Sequence, residues 1–296
     1  MKPDVLSWLC CPIDHSGDLR FEATKTIDRE VVSGSIRCNH CSAVYPISNG
    51  IPLLMALQNL APAARGPRML ERRARDNDSN RYDESLSPSH NAIEVRAIVS
   101  ALRPARGETV VDLGAGTGRL TLPLARRGAK VVAVDLSLRS LEINRQKCEE
   151  AGLGDQVVHV MADACHLPIR TSSIEKLGSG MLLEHITPAQ ERKRCVEEIH
   201  RVLRPGGRMA ITAYNYSWSL RRRRAPREGS HNGDLYFYRF EGAELAGLLG
   251  HFRNPRVSGI LNLPKRLAVP ALDRVIRALP PLAVQSGELL FAVAHR

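Results

Sequence analysis

The sequence predicts an α/β protein: a doubly wound, mostly parallel sheet with a small β-ribbon domain at its N-terminus. Strand-length apolar runs alternate with helical patterns from residue 109 onward, the mark of βαβ units. A glycine-rich turn, Gly114-Ala115-Gly116-Thr117-Gly118, joins the first of those runs to a helix. Four of the seven cysteines cluster before residue 42, ahead of any helical pattern.

Residues 1–57 read as a unit of their own. Cys10 and Cys11 precede Pro12-Ile13-Asp14-His15, and an alternating stretch from Leu19 to Ile36 follows, with the polar Thr24 to Arg29 as its hairpin turn. Cys38-Asn39-His40-Cys41 and the segment Val44 to Leu54 close the unit. Two knuckles separated by a hairpin make a ribbon, and CxxC spacing suits tetrahedral zinc. The module resembles the zinc-ribbon-like family that includes the tRNA-methyltransferase activator subunit, marked by an early CPxC, a later CxxC and YPIxxGIPxLL. Tyr45 to Leu54 matches the last element closely, while Asp14 stands where the second cysteine belongs. The resemblance implies zinc on Cys11, Asp14, Cys38 and Cys41, with Cys10 or His15 as substitutes for Asp14, and a protein partner for the ribbon. A metal-free ribbon held by its own core is the alternative.

Residues 58–90 change character: they are charged, arginine-rich and short of periodic apolar positions, which reads as a linker. Residues 91–296 form the main domain. Asn91 to Leu102 places Ile93, Ala97, Ile98 and Ala101 at helical spacing, so an amphipathic helix leads into the sheet.

Thr109 to Leu113 is a buried strand, a helix opens near Thr117, and Lys130 to Asp135 is a second strand ending on a carboxylate. Glycine adopts backbone angles that a Cβ forbids and lets a ligand touch the main chain. GAGTG is neither the GxGxxG dinucleotide fingerprint nor a phosphate loop with GK[ST]. With Asp112 just before it, the spacing resembles motif I of the class I S-adenosylmethionine-dependent methyltransferases. That resemblance implies a seven-stranded sheet, with the cofactor against Asp112, Gly114, Ala115, Gly116 and Gly118 and its ribose on Asp135, beside Leu136. It also implies an N-terminal lid, for which Tyr82 to Ser85 is the candidate. Taken alone, Asp135 would suit an NAD enzyme equally.

Ser137 is the N-cap of a helix to about Ala151, and Gln156 to Asp163 is strand three. Asp163-Ala164 resembles the family's adenine-reading pair. Asp112, Asp135 and Asp163 then end three strands at one sheet edge, which a cationic ligand needs to be electronegative. His166 to Glu175 leads to a poorly apolar strand four. Leu182 to Ile186 resembles the family's LEH segment under the sulfonium, which adds Glu184. Pro188 to Leu203 is a helix stopped by Arg204-Pro205-Gly206-Gly207, and Arg208 to Tyr214 is strand five. The resemblance covers about 105–215.

The resemblance implies a substrate-covering insertion at about 215–240, where four consecutive arginines, Arg221 to Arg224, and a loop through Gly229, His231, Asn232 and Gly233 stand. Tyr236 and Tyr238 either line an acceptor pocket or face the core. Glu241 to Leu249 is a helix; Arg256 to Leu263 and Gly287 to His295 are the closing strands, the last antiparallel. Leu267 to Leu279, broken by Pro270 and basic on one side, reads as a core-packed helix in preference to one lying on an anionic membrane.

Methyl transfer from a sulfonium is an in-line displacement in which the protein supplies position, desolvation and, for a hydroxyl acceptor, a base. His185 is the first candidate for that base, with Tyr214 and His231 next; a structural histidine bonded to backbone is its other reading. The net charge of +11 attracts an anionic partner such as RNA or an acidic lipid surface, or belongs to a solvated arginine-rich face. Aromatic residues at 4 % argue against a stacking platform for single strands. The chain lacks a signal-peptide core and any run near the roughly 18 apolar residues of a membrane span. Its cysteine usage suits a reducing compartment, so a cytoplasmic setting is expected. The acceptor expected is a small molecule or lipid-like metabolite; RNA, or a cofactor-binding scaffold without catalysis, are the alternatives.

Overall fold

Period-two alternation builds the N-terminal ribbon from four antiparallel strands: β1 (Leu19–Ile27), β2 (Glu30–Cys38), β3 (Val44–Ser48) and β4 (Ile51–Pro52), paired in that order. The computed structural model describes residues 3–27, 30–56, 60–231, 235–263 and 270–296. Thr26 pairs with Val31 and Ile27 with Glu30, so Thr24 to Ile27, expected in the turn, are strand; residues 28 and 29 lie outside the described residues.

The span expected as a linker holds α1 (Pro62–Asp78), α2 (Tyr82–Ser85) and the start of α3 (Pro88–Leu102). Residues 58 and 59 lie outside the described residues. The only residues α1 buries are Ala64 and Arg68. It faces the protein with charge, which is why no apolar periodicity announces it.

The main sheet follows, in chain order: β5 (Thr109–Leu113), α4 (Thr121–Ala125), β6 (Lys130–Asp135), α5 (Leu138–Glu150), β7 (Val157–Met161), β8 (Ile174–Ser179), α6 (Ala189–Val202) and β9 (Leu203–Tyr214). Then come α7 (Trp218–Arg222), β10 (Glu228–His231), β11 (Leu235–Tyr238), α8 (Gly242–Leu248), β12 (Arg253–Ile260), α9 (Pro270–Arg277), α10 (Pro280–Ser286) and β13 (Leu289–His295). The seven strands lie in the order β12-β13-β9-β8-β5-β6-β7. β5 to β9 run parallel, and β13 is antiparallel to both of its neighbours. The order reverses between β5 and β8, which opens a crevice at the carboxyl ends of the strands.

Two expectations change here. The helix after the glycine turn starts at Thr121, not near Thr117, because Gly118 sits at φ +99, outside helical geometry. The segment expected as a core-packed helix over 267–279 is α9, with 267–269 outside the described residues. Its inward group is Asp273, whose Oδ1 accepts from the Asn262 N–H at 3.0 Å, while Leu272 and Val275 stand exposed. The loop residues Asn232 and Gly233 also lie outside the described residues.

Alternate residues of each strand feed two cores on opposite faces of the sheet. One packs Ile98, Leu102 and Leu141 against Val131 and Ala133. The other holds Leu113, Val160 and Leu177 together with Leu9, Ile36, Tyr45 and Leu54 from the ribbon. The ribbon therefore shares a core with the sheet. Leu54 N–H donates to Met161 O at 2.9 Å and Leu53 bridges Met161 in parallel, so the ribbon's exit occupies the outer edge of β7. Cys10 N–H donates to Pro168 O at 3.0 Å, and the Arg170 guanidinium donates to Leu9 O at 3.0 Å and Gly17 O at 2.8 Å. Leu9→Ala, at this fully buried joint, should cost about 2–5 kcal/mol in denaturant unfolding. The transition should remain single, and separate ribbon and sheet transitions would contradict the shared core.

Candidate functional site

A cleft lies at the carboxyl rim of β5, β6 and β7. Among the sequence-predicted residues, Asp112, Gly114, Ala115, Gly116, Asp135, Leu136, Asp163, Ala164 and His185 line it. Gly118, Glu184, Tyr214 and His231 do not. Gly118 faces packing, since a Cβ there would stand 2.7 Å from Leu122 Cδ1 and 2.9 Å from Asn144 Oδ1. Gly116, at φ +50, has open space instead: apart from its chain neighbours, no atom of the described residues comes within 4 Å of where its Cβ would be. A ligand can approach the main chain there.

Each rim carboxylate is compensated differently. Asp135 accepts from the Gly116 N–H through Oδ2 and from the Ser137 N–H through Oδ1, both at 2.8 Å. Burial raises its pKa against these bonds. Asp112 accepts from Thr121 Oγ1 at 2.6 Å, and burial, opposed by that bond and by Arg119, lifts it to about 7. Asp163 takes the Arg68 guanidinium at 2.9 Å and the Cys165 N–H at 2.9 Å. Against burial, His166, Arg68 and that N–H hold it down at about 2.

The roof of the cleft comes from the supposed linker. Arg68, Glu71, Arg75 and Asp78 of α1, with Ser79 and Tyr82, line it; of these only Tyr82 was a sequence candidate. The available signal was the charge spacing of α1, where Glu71 and Arg75 pair at 2.9 Å and Arg72 and Asp76 at 3.8 Å, four residues apart. The roof is bolted down by Asp76, which accepts from Ser137 Oγ at 2.6 Å, and by Asp83, which accepts from Thr117 Oγ1 at 2.7 Å and pairs with Lys147. Glu94, also missed, lines the cleft and accepts from Arg119 at 2.7 Å and from Thr212 Oγ1 at 2.6 Å.

His185 sits on the wall with Nδ1 2.7 Å from Tyr236 O. A carbonyl only accepts, so Nδ1 carries the proton and Nε2 keeps its lone pair. Burial pushes its pKa down to about 3. From it a row of rings leads away: Tyr214 at 5.7 Å, then His231 at 6.2 Å from Tyr214, then Phe237 stacked at 4.2 Å. Tyr236 and Tyr238 instead direct their hydroxyls to Glu228 and Glu244, each at 2.7 Å. Glu184 is fully buried, neither carboxylate oxygen has a hydrogen-bond partner among the described residues, and burial lifts it to about 8.

In the ribbon, one ligand atom each from Cys11, Asp14, Cys38 and Cys41 fall within 4.8 Å of one another. Three sulfurs and an oxygen at that spacing fit a tetrahedral zinc. Of the substitutes considered for Asp14, Cys10 turns to Leu167 O at 3.9 Å and His15 to Glu198 at 4.0 Å; both are committed to the joint with the main domain. His40 Nδ1 lies 2.8 Å from Asp14 Oδ2 and orients it.

Residues 111–211 match the methyltransferase-domain family, and residues 2–50 match the Trm112p-like protein family. The chain carries a class I methyltransferase domain behind a Trm112p-like ribbon. The methyltransferase domain is similar to the demethylmenaquinone methyltransferase of Clavibacter sepedonicus, 36 % identical over 143 residues, or 47 % of this chain and 56 % of that protein. The chain spans about half the length of the curated relatives it matches, 56 %, 37 % and 44 % for three of them. The fold is shared with phosphoethanolamine N-methyltransferase 2 of Haemonchus contortus in complex with S-adenosyl-L-methionine, at TM-score 0.55 and 17 % identity over 86 % of this chain and 62 % of that one. It is shared also with a chain of the complex between the Trm112 methyltransferase activator and a methyltransferase of Haloferax volcanii, at TM-score 0.55 and 18 % identity over 75 % and 96 %. Among the described residues no helix is long and apolar enough to cross a membrane.

Glu184 gives the methyltransferase domain a measurable pH signature. The fold raises its pKa to about 8, so its contribution is intact below the ordinary carboxyl range and is lost as pH rises through the folded value. In denaturant unfolding, Glu184→Gln should gain on the parent protein between about pH 5 and about pH 9. A difference independent of pH would show that Glu184 is not held protonated.

Proposed function

We propose that the chain transfers the methyl group of S-adenosylmethionine to a hydroxyl or ring carbon of a small, lipid-like metabolite, with His185 as the base. The observation that carries this reading is the neutral His185 on the cleft wall, its Nδ1–H spent on Tyr236 O and its Nε2 open. The cofactor would bring the electrophilic carbon and its leaving group. For it, Gly114 to Thr117 form the cradle, Asp135 and Leu136 hold the ribose, and Asp163 with Ala164 reads the adenine. Asp135 suits its part because each oxygen has spent one acceptor site on a backbone N–H and keeps another. Asp112 lends negative potential from the cleft wall itself, and Glu184, held protonated behind it, contributes no charge.

His185 Nε2 takes a proton from the acceptor as the methyl group arrives, and Tyr214 and His231, off the cleft wall, back His185 through the ring row. Such a row suits a planar, largely apolar acceptor, and the curated relative from Clavibacter sepedonicus is named for demethylmenaquinone. Residues 58–90 act as a lid between the ribbon (1–57) and the main domain (91–296). The ribbon works on its own chain, since it packs on β7 and the 167–170 segment.

Two measurements test this reading. With radiolabelled cofactor and cell extract, label should enter lipid or small-metabolite fractions. Asp135→Ala should abolish it and weaken binding by about 10–100-fold, the loss of a charge-assisted pair of hydrogen bonds. Label in RNA would move the acceptor to RNA, and cofactor binding without any label would leave a scaffold. For the ribbon, native mass spectrometry should find one zinc per chain, and Cys38→Ser should lose both the ion and several degrees of melting temperature. Protein that melts identically with and without added chelator would remove zinc from the account.

A further inference from the structure

The segments after β9 and β12 return to the same rim of the sheet that carries the cleft. α7 follows the carboxyl end of β9, and α9 and α10 fill the path from β12 to β13. Asn215 ties them together, its amide donating to Val284 O at 2.7 Å and Gly287 O at 2.8 Å. Trp218 and Arg221 share a groove with Pro280 and Pro281.

Of the nine large apolar side chains most exposed among the described residues, five lie on these helices or at the junction between α9 and α10: Trp218, Leu272, Val275, Leu279 and Leu282. That is a patch, not the single scattered residues of an ordinary surface. On α9 and just beyond it, Leu272, Val275 and Leu279 recur at i, i+3 and i+7, while the inward side carries Asp273 and Arg277, the latter 5.5 Å from the Phe291 ring. The helix packs on the protein through its polar side. Beside this patch Arg221, Arg222, Arg223, Arg224 and Arg274 are exposed. Arg221 is 3.7 Å from Glu241, Arg222 lies 5.3 Å from the Trp218 ring, and Asp273, the acid of α9, is buried.

We propose that α7, α9 and α10 form a docking surface for an anionic lipid bilayer, on the rim from which the cleft opens. Exposed leucine, valine and tryptophan enter the acyl boundary, and the arginines meet lipid phosphates. RNA would answer the arginines alone and leave the apolar side chains in water. The surface stands apart from the acceptor reading, because it is measured without turnover.

The test is co-sedimentation of the full chain with vesicles of phosphatidylcholine, and of phosphatidylcholine mixed equally with phosphatidylglycerol. The chain should pellet with the mixed vesicles and remain in solution with the neutral ones. Val275→Asp with Leu279→Asp should abolish pelleting, and changing Arg222, Arg223 and Arg224 to Gln should weaken it by about fivefold per arginine. Both variants should keep the parent protein's melting shift with S-adenosylmethionine, which reports an intact fold. In Trp8→Phe protein with its patch unaltered, mixed vesicles should shield Trp218 fluorescence from iodide. The proposal is overturned by no pelleting and no shielding, by loss in the arginine variant alone together with RNA binding, or by a patch that proves to join two copies of the chain.

Discussion

Carboxylates gathered on one rim of a sheet lose hydration and repel one another, and the cleft depends on how each is compensated. Asp135 is held by backbone N–H groups, Asp112 by a threonine hydroxyl, and Asp163 by Arg68. Only the last is hydrogen-bonded to a guanidinium, which arrives from outside the sheet. A buried carboxylate stripped of such a partner is strongly destabilising, by about 3–5 kcal/mol. Charge at the rim and closure of the roof are therefore one problem: α1 lies over the cleft because Arg68 is needed beneath it. The remaining acids stay electronegative toward whatever enters, which is the environment a sulfonium would need.

The ribbon belongs to the same arrangement. Its exit strand bonds to Met161, two residues before Asp163, and its core merges with the face of the sheet beneath β7. From the sheet edge at Leu54, α1 and the roof begin eight residues along the chain, at Pro62. Three segments that look separate along the sequence thus share one load path from the cysteine cluster to the cleft. Shared cores of this kind behave as one cooperative unit.

Much of the sheet was legible because its signals are local. Strand, glycine turn, helix and strand over 109–135 follow from apolar period and from glycine chemistry, and the N-cap at Ser137 from side-chain chemistry. The roof was not legible, since α1 turns arginine and glutamate inward and has no apolar stripe for a periodicity argument to find. The choice among Asp14, Cys10 and His15 was open for a related reason. Spacing along a chain says which donors are near in sequence, whereas the docking of the ribbon decides which of them are already spent.

By itself the sequence determined the fold class, the rim of acids and the glycine cradle, because each rests on backbone geometry repeated over a few residues. Only the tertiary structure decided that Glu184, Tyr214 and His231 stand off the cleft wall, that His185 holds its proton on Nδ1, and that α9 wears its apolar side outward. Those outcomes depend on partners distant in the chain, such as Tyr236 for His185 and Asn262 for Asp273. No local pattern carries the identity of a partner that the fold has yet to bring near.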